Sequence, residues 1–269
     1  MATWEFVGGQ PIDANISIAS GSVSIAAEPT DTTSVTISRG RSVDRSDDDV
    51  TEEVTVEFAD RHLVVSELPR RGLAWRVRDL HVRITMPTGS RAAVQAASAD
   101  ITCAGTCSAV DIRTASGRVD VATVHGPAEI STMSGSVQLL EASESSVQTA
   151  SGRILVRHAV GDVTAKSASG NITIGQADAS ITAGTASGEI LVGGLSRGRA
   201  ELNSVSGNIR VKVLPGTAVF LDLASVTGRV SSDLEAAEGD DGANLHLQCR
   251  TVSGSVHVAK APESAEMAS

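Results

Sequence analysis

Aromatic side chains are almost missing from this chain, which has two tryptophans, three phenylalanines and no tyrosine in 269 residues. Sugar platforms, base-stacking surfaces and tight protein interfaces rely on exposed rings. The scarcity therefore counts against a carbohydrate-cleaving or base-stacking protein. Basic charge is short too. With 22 Lys+Arg against 32 Asp+Glu, the net charge is −10, which disfavours general nucleic-acid binding. No apolar run approaches the roughly 20 residues of a membrane helix. Met1-Ala2-Thr3-Trp4-Glu5 does not begin a basic leader followed by an apolar stretch, so a cytoplasmic location is expected.

Chemistry-bearing patterns are also scarce. Cys103, Cys107 and Cys249 are an odd count that agrees with a reducing compartment. Cys-x-x-x-Cys with no complementary pair is a weak metal signal, and the thiols read as small buried hydrophobes. The six histidines (His62, His81, His125, His158, His246, His257) form no His-x-His or His-Glu-x-x-His pattern, and no Gly-x-Ser-x-Gly elbow occurs. The expectation is a non-enzyme with no catalytic residue, no metal site and no cofactor.

What is present is a repeat. The phrase [Ser/Thr]-x-[Ser/Thr]-Gly-x-[Val/Ile]-x recurs eight times between Thr114 and His257, on Gly117, Gly135, Gly152, Gly170, Gly188, Gly207, Gly228 and Gly254. Successive gaps are 18, 17, 18, 18, 19, 21 and 26 residues. A fixed period of this size marks a solenoid, whose repeats bury their apolar faces by stacking on one another. Two residues after each glycine stand Val119, Val137, Ile154, Ile172, Ile190, Ile209, Val230 and Val256, all β-branched. The column four after is aliphatic except at Ser232. Columns seven and five before the glycine run from Val110 to Leu247 and from Ile112 to Cys249, with polar residues between. This period-two alternation reads as two short half-buried strands per coil, and a weaker third side follows.

The Ser-Gly pair fits the corner between the two strands, where glycine is expected to supply φ > 0. The flanking hydroxyls fall into two columns, which can bond along the stack or satisfy corner amides. A left-handed β-helix needs an aliphatic residue every six positions, and Val119, His125, Ser131 fails that test. The expected fold is an all-β, single-stranded parallel β-helix, right-handed, with about 18 residues per coil.

Thr-Ala-Ser-Gly-Arg-Val-Asp-Val (114–121), Ser-Ala-Ser-Gly-Asn-Ile-Thr-Ile (167–174) and Thr-Ala-Ser-Gly-Glu-Ile-Leu-Val (185–192) resemble repeats of the bacterial putative-adhesin domain family of unknown function. The stretch Val82–Ser90 is similar to that family's opening strand and turn. The resemblance covers roughly residues 15–260. It implies a β-helical fold and a role in surface attachment or protein interaction, and it carries over no catalytic residue.

Residues 1–92 read as an irregular β segment that caps the helix and holds an early Ser20-Gly21 coil. Residues 93–260 are the repeats, and 261–269 a disordered tail. Within the first segment, Val54–Phe58 and Leu63–Val65 form a hairpin, followed by strands at Trp75–Val77 and Leu80–Ile84. Asp47–Asp49 and Asp240–Asp241 lack the spacing of calcium loops and read as solvated. Arg70, Arg71, Arg76, Arg78 and Arg83 concentrate positive charge and are the candidate site for an anionic partner. Leu155 and Leu191 face outward and mark a candidate contact patch.

The reading that follows is a non-enzymatic scaffold or adhesin-like interaction module, monomeric, bound to a protein partner or cell-surface component. One rival is a self-assembling β-helix filament, which needs an uncapped terminal coil. Another is a polysaccharide-active enzyme, which needs stacked carboxylates that no outward column provides.

Overall fold

The structure, a computed structural model, describes residues 1–39, 53–68, 79–234 and 243–262. Its contacts divide into two compact units, Met1–Ser136 and Val137–Ser269. Asp47–Asp49, Arg70, Arg71, Trp75–Val77, Asp240–Asp241 and residues 263–269 lie outside the described residues.

The first unit contains β1 (Ala2–Val7), β2 (Asp13–Glu28), β3 (Thr32–Arg39), β4 (Val54–Ala59), β5 (His62–Glu67), β6 (Leu80–Pro87), β7 (Arg91–Cys107), β8 (Ala109–Ser116) and β9 (Val119–Ser134). Strand β2 lies parallel to β7 from Asp13↔Arg91 to Ala27↔Gly105. The Ser20-Gly21 segment is therefore a full coil, and β7 continues the stack through β8 and β9.

On the opposite edge of β2 the pattern changes. Strands β5 and β6 pair with it in parallel, but β4 then joins β5, β3 joins β6 and β1 joins β3, all antiparallel. The expected hairpin is present, turning at Asp60 (φ 50°) and Arg61 (φ 66°), a backbone whose twist suits paired strands. Phe6 of β1 and Phe58 of β4 stack with centroids 4.7 Å apart. Rings that the aliphatic columns of the coils leave no place for are used here, where the parallel ladder stops. Antiparallel closure shields edge backbone that a bare coil would leave unpaired.

The second unit contains β10 (Val137–Ser151), β11 (Ile154–Ala159), β12 (Val163–Ser169), β13 (Ile172–Ala177), β14 (Ile181–Ser187), β15 (Ile190–Leu195), β16 (Gly198–Ser206), β17 (Ile209–Val213), β18 (Val219–Thr227), β19 (Val230–Ser232), β20 (Leu245–Ser253) and β21 (Val256–Lys260). One parallel ladder runs β10–β12–β14–β16. The other runs β10–β11–β13–β15–β17. The apolar columns fall in register as the sequence predicts, and Ile154, Ile172, Ile190 and Ile209 are fully buried.

The last coils do not follow chain order. Strand β20 inserts between β16 and β18, and β21 between β17 and β19. Residues 219–232 thus form the outermost coil, and the later residues 245–260 lie inside it. Side-chain chemistry explains the inversion. The inserted coil brings a complete apolar set, with Leu245, Leu247, Cys249, Val256 and Val258 all buried. The outer coil carries Ser232 where the other coils are aliphatic, and that hydroxyl stays exposed. Ser232 adds no apolar area to that column and its Oγ accepts from the Leu234 amide (3.2 Å), so this coil loses least by standing at the end.

The corner also differs from expectation. Gly117 has φ 118°, as expected of a turn glycine, but Gly170 has no positive φ. The common requirement is steric. A Cβ built at Gly170 would sit 1.9 Å from the Gly152 carbonyl oxygen, and one at Gly188 would sit 2.2 Å from that of Gly170. At Gly207, Gly254 and Gly228 the distances are 1.9, 2.2 and 1.9 Å to Gly188, Gly207 and Gly254 respectively. Each glycine carbonyl thus occupies the space where the next corner would carry a Cβ. Several hydroxyls of the inner column donate to these same oxygens: Thr185 to Gly170 (3.2 Å), Thr251 to Gly207 (3.2 Å) and Ser225 to Gly254 (2.8 Å). The corner backbone bonds along the stack as well. The Gly170 and Gly207 amides donate to the Ser187 and Ser253 carbonyls.

The inverted order is open to cross-linking. Asn203, Arg250 and Ala224 face outward on β16, β20 and β18, and Arg250 registers with both of the others. Neighbouring parallel strands are about 4.8 Å apart, within reach of a disulfide, whereas two coils, roughly 9.6 Å, are not. Cysteine pairs N203C/R250C and A224C/R250C are expected to oxidise readily, and N203C/A224C is not. Reversal of that ranking contradicts the inversion.

Candidate functional site

The outward-facing residues were sorted by the columns into which stacking brings them. Position −2 from each corner glycine points to solvent. In the second unit it reads Ala150, Ala168, Ala186, then Val205, Val226 and Val252. The three valines are neighbours, and the inversion puts them in the order Val205, Val252, Val226, because Ser204↔Thr251 and Thr251↔Ser225 are register partners. Their exposures are 55, 49 and 76%. Three adjacent β-branched residues facing water form an apolar ladder of the kind that marks contact surfaces.

This ladder adjoins an open coil. Among the described residues β18 pairs only with β20 and β19 only with β21. Leu221 and Leu223, in columns buried elsewhere, are half-exposed, and Val230 and Phe220 are exposed. Phe220 packs against His246 with ring centroids 5.8 Å apart. Strand β18 has no lysine, proline or bulge of the sort that usually guards an edge. Its single charge, Asp222, is engaged by Gln248 (2.6 Å) and Arg250 (3.3 Å). The Gln248 amide, first, and then Arg250 hold the Asp222 carboxyl below its ordinary value. Antiparallel strands β1, β3 and β4 flank the parallel ladder of the first unit, whereas β18 and β19 of the second have no further partner strand among the described residues.

The residues singled out in the sequence are placed as follows. Arg70, Arg71, Arg76 and Arg78 lie outside the described residues. Arg83 is exposed on β6, between Ser24 of β2 and Thr36 of β3. Leu155 and Leu191 share one outward column but are half-buried and separated by Thr173, so they lie two coils apart. They do not form a joint patch.

Polar side chains also meet elsewhere on the coils, with histidines among them. His158 lies between Glu141 (3.4 Å) and Asp178 (3.1 Å). Ser231 meets His257 at 3.0 Å, with Asp233 at 3.5 Å on the far ring nitrogen. Ser22 meets His81 at 2.7 Å. The two Ser–His pairs are ladder partners on adjacent strands, Ser231↔His257 and Ser22↔His81. Their recurrence in both units reflects stacking register. No group of three or more His, Cys, Asp or Glu suited to a metal ion occurs among the described residues.

The valine ladder was readable from the column alone, since three successive repeats carry it in either stacking order; the inversion decides only that Val252 sits in the middle. A signal existed in the −2 column, which changes from alanine to valine over the last three repeats. Glu141 and His158 are 17 residues apart, one coil period, which alone would have predicted their meeting.

The three cysteines are free and buried. Burial pushes the Cys107 thiol up to about 11. Burial, with Asp222 adding to it, pushes Cys249 up to about 12. Cys103 is raised by burial first and then by Cys107 beside it. These are inert packing groups, since the thiolate is the reactive form.

Fold and surface together define a class: a β-solenoid protein in which each unit stacks Ser-Gly coils in parallel, the first unit also carrying antiparallel strands. The chain belongs to the Toastrack DUF4097 family, which it matches over residues 13–268. Among solved structures it is similar to a putative adhesin from Bacteroides fragilis NCTC 9343, at 15% identity over 96% of each chain with a TM-score of 0.51. It also resembles putative adhesins from Parabacteroides distasonis ATCC 8503 (14% identity, 96% of each chain, TM-score 0.38) and Parabacteroides merdae ATCC 43184 (13% identity, 97% of this chain and 96% of that one, TM-score 0.38). At such identities the first likeness shows the fold alone. No curated protein matches the sequence.

The burial of the thiols sets an expectation. A disulfide reagent such as dithionitrobenzoate should label native Cys103, Cys107 and Cys249 at least about 100-fold more slowly than the unfolded chain. Labelling of any of them at the unfolded rate contradicts the packed positions.

Proposed function

We propose that the chain is a non-enzymatic, adhesin-like interaction module whose coils hold a rigid contact surface at the open end of the second unit. The observation that carries this reading is the Val205–Val252–Val226 ladder beside the edge of β18, which has no further partner strand among the described residues. An extended segment of a partner protein can add to such an edge through its backbone. Its apolar side chains then cover the half-exposed Leu221, Leu223 and Val230. The putative-adhesin descriptions of structural neighbours, including the Bacteroides fragilis protein, agree with a binding role. Arg83, Leu155 and Leu191 remain secondary contact candidates. A cytoplasmic location stays part of the proposal and is supported by the three free buried thiols.

A second reading has its own support. An open coil can be covered by another copy of the chain, as the filament alternative requires. Cover of this edge by the same edge of a second copy makes a closed pair.

One triple variant tests both readings. Val205, Val226 and Val252 changed together to threonine keep β-branching and exposure but lose apolar area. Sedimentation velocity of the parent chain over a wide concentration range separates self-association from a monomer. Cross-linking in the producing cell, followed by affinity measurement on the captured partner, then reads hetero-association. The expected result is a monomer whose partner binds at least about tenfold more weakly to the variant, equivalent to roughly 1.4 kcal/mol. A concentration-dependent dimer lost in the variant supports the second reading. Binding of equal strength by both proteins removes the valine ladder from the account.

A further inference from the structure

We propose that Glu141, His158 and Asp178 form an acid-strengthened clamp that ties neighbouring coils of the second unit together at a corner. The geometry requires it. Nδ1 of His158 lies 3.4 Å from Glu141 Oε2, and Nε2 lies 3.1 Å from Asp178 Oδ2. Ionised carboxylates are acceptors only, so both ring nitrogens must carry protons for both contacts to form, and that is the imidazolium. A neutral ring satisfies one side and turns a lone pair toward the other carboxylate.

The three groups come from different parts of the stack. Glu141 is on β10, His158 is its register partner on β11, and Asp178 follows the end of β13. Asp178 is itself held firmly. Gln176 donates to its Oδ1 (3.2 Å), Arg197 Nε donates to its backbone carbonyl (2.7 Å), and its own amide donates to Ala159 O (3.0 Å). The charged groups that face His158 are therefore Glu141 and Asp178. Arg197 approaches from the turn before β16 and adds positive charge to the Asp178 side. The Asp178 carboxylate is thus held in place on one side of the ring, and Glu141 meets it from the register-paired strand on the other.

The direction of the pH effect follows from linkage. Hydrogen bonding to Asp178, followed by that to Glu141, raises His158 above its ordinary 6.5, with burial opposing. A raised histidine stabilises the fold fully below about 6.5, and that contribution is lost as pH rises through the folded value. Asp178 is lowered from 3.8, by His158 first and then Gln176. Its contribution is present above about 3.8 and lost as pH falls through the lowered value. The clamp is thus complete in mildly acidic solution and weakens toward alkaline pH. His158 and Glu141 are 37 and 44% exposed by side chain, so solvent screening keeps the effect modest.

Two measurements test the clamp. Proton NMR titration of His158 in the full chain should give a midpoint above 6.5, and Asp178→Asn should bring it down. Urea unfolding of the parent chain and His158→Gln should show the parent's advantage at pH 5.5 shrinking at pH 8.0. A purely packing role would give the same advantage at both pH values. A midpoint at or below 6.5, or a pH-independent gap, overturns the proposal. The titration stands even if the glutamine variant folds poorly.

Discussion

The contact on which the structure depends is the one between a glycine and the carbonyl oxygen of the glycine in the adjacent coil. Built Cβ atoms at these corners would lie about 2 Å from that oxygen, far inside any tolerated contact. Every side chain but hydrogen is excluded. At four corners the hydroxyl three residues earlier, on Thr185, Ser204, Ser225 and Thr251, donates to the same oxygen. There the motif is a two-part joint, whereas the buried Thr132, Thr149 and Ser167 hydroxyls find no partner and the fit rests on glycine alone. With the joint repeated, the strands on either side come into register, and the Val and Ile columns close over one another with almost no exposure.

The joint also clarifies the end of the second unit. Gly254 seats on Gly207 and Gly228 seats on Gly254, so the corner column follows spatial order and not chain order. A motif that fits any neighbouring copy of itself places no constraint on which copy comes next. The choice falls to the remaining side chains, and Ser232 assigns its coil to the outside. The consequence is functional. The inversion places β18, with Val226, at an edge that has no further partner strand among the described residues, beside the exposed Val252 and Val205.

Much of this was legible in the sequence. Eight glycines at a near-constant interval, with β-branched residues two positions on, specify parallel coils, and the register of Ile154, Ile172, Ile190 and Ile209 is as the columns require. The hairpin at Val54–Leu63 was legible from alternation. The reason for the glycines was not. A sequence shows that a residue is small, but whether φ or a neighbour's atom demands it is a property of the stack. Coil order was hidden for a similar reason, since equivalent repeats look alike in one dimension. The place of β18 at the edge depends on coil order and so was hidden as well, whereas the valine column was readable. Arg83, Leu155 and Leu191 were found by their departure from pattern, yet departure from pattern does not bring Leu155 and Leu191 together. Residues that do meet, such as Glu141 and His158, are separated by a coil period.

An alanine scan of the corner column tests the central claim most directly, with Gly8 as the control because nothing lies within 4 Å of its built Cβ. Chemical denaturation should show Gly170→Ala, Gly188→Ala and Gly207→Ala each losing more than about 1 kcal/mol, with Gly8→Ala close to the parent. Gly170 is the decisive position, because no positive φ is present there to explain a loss. If Gly170→Ala unfolds at the parent's midpoint, backbone-on-glycine stacking is not what holds the coils together.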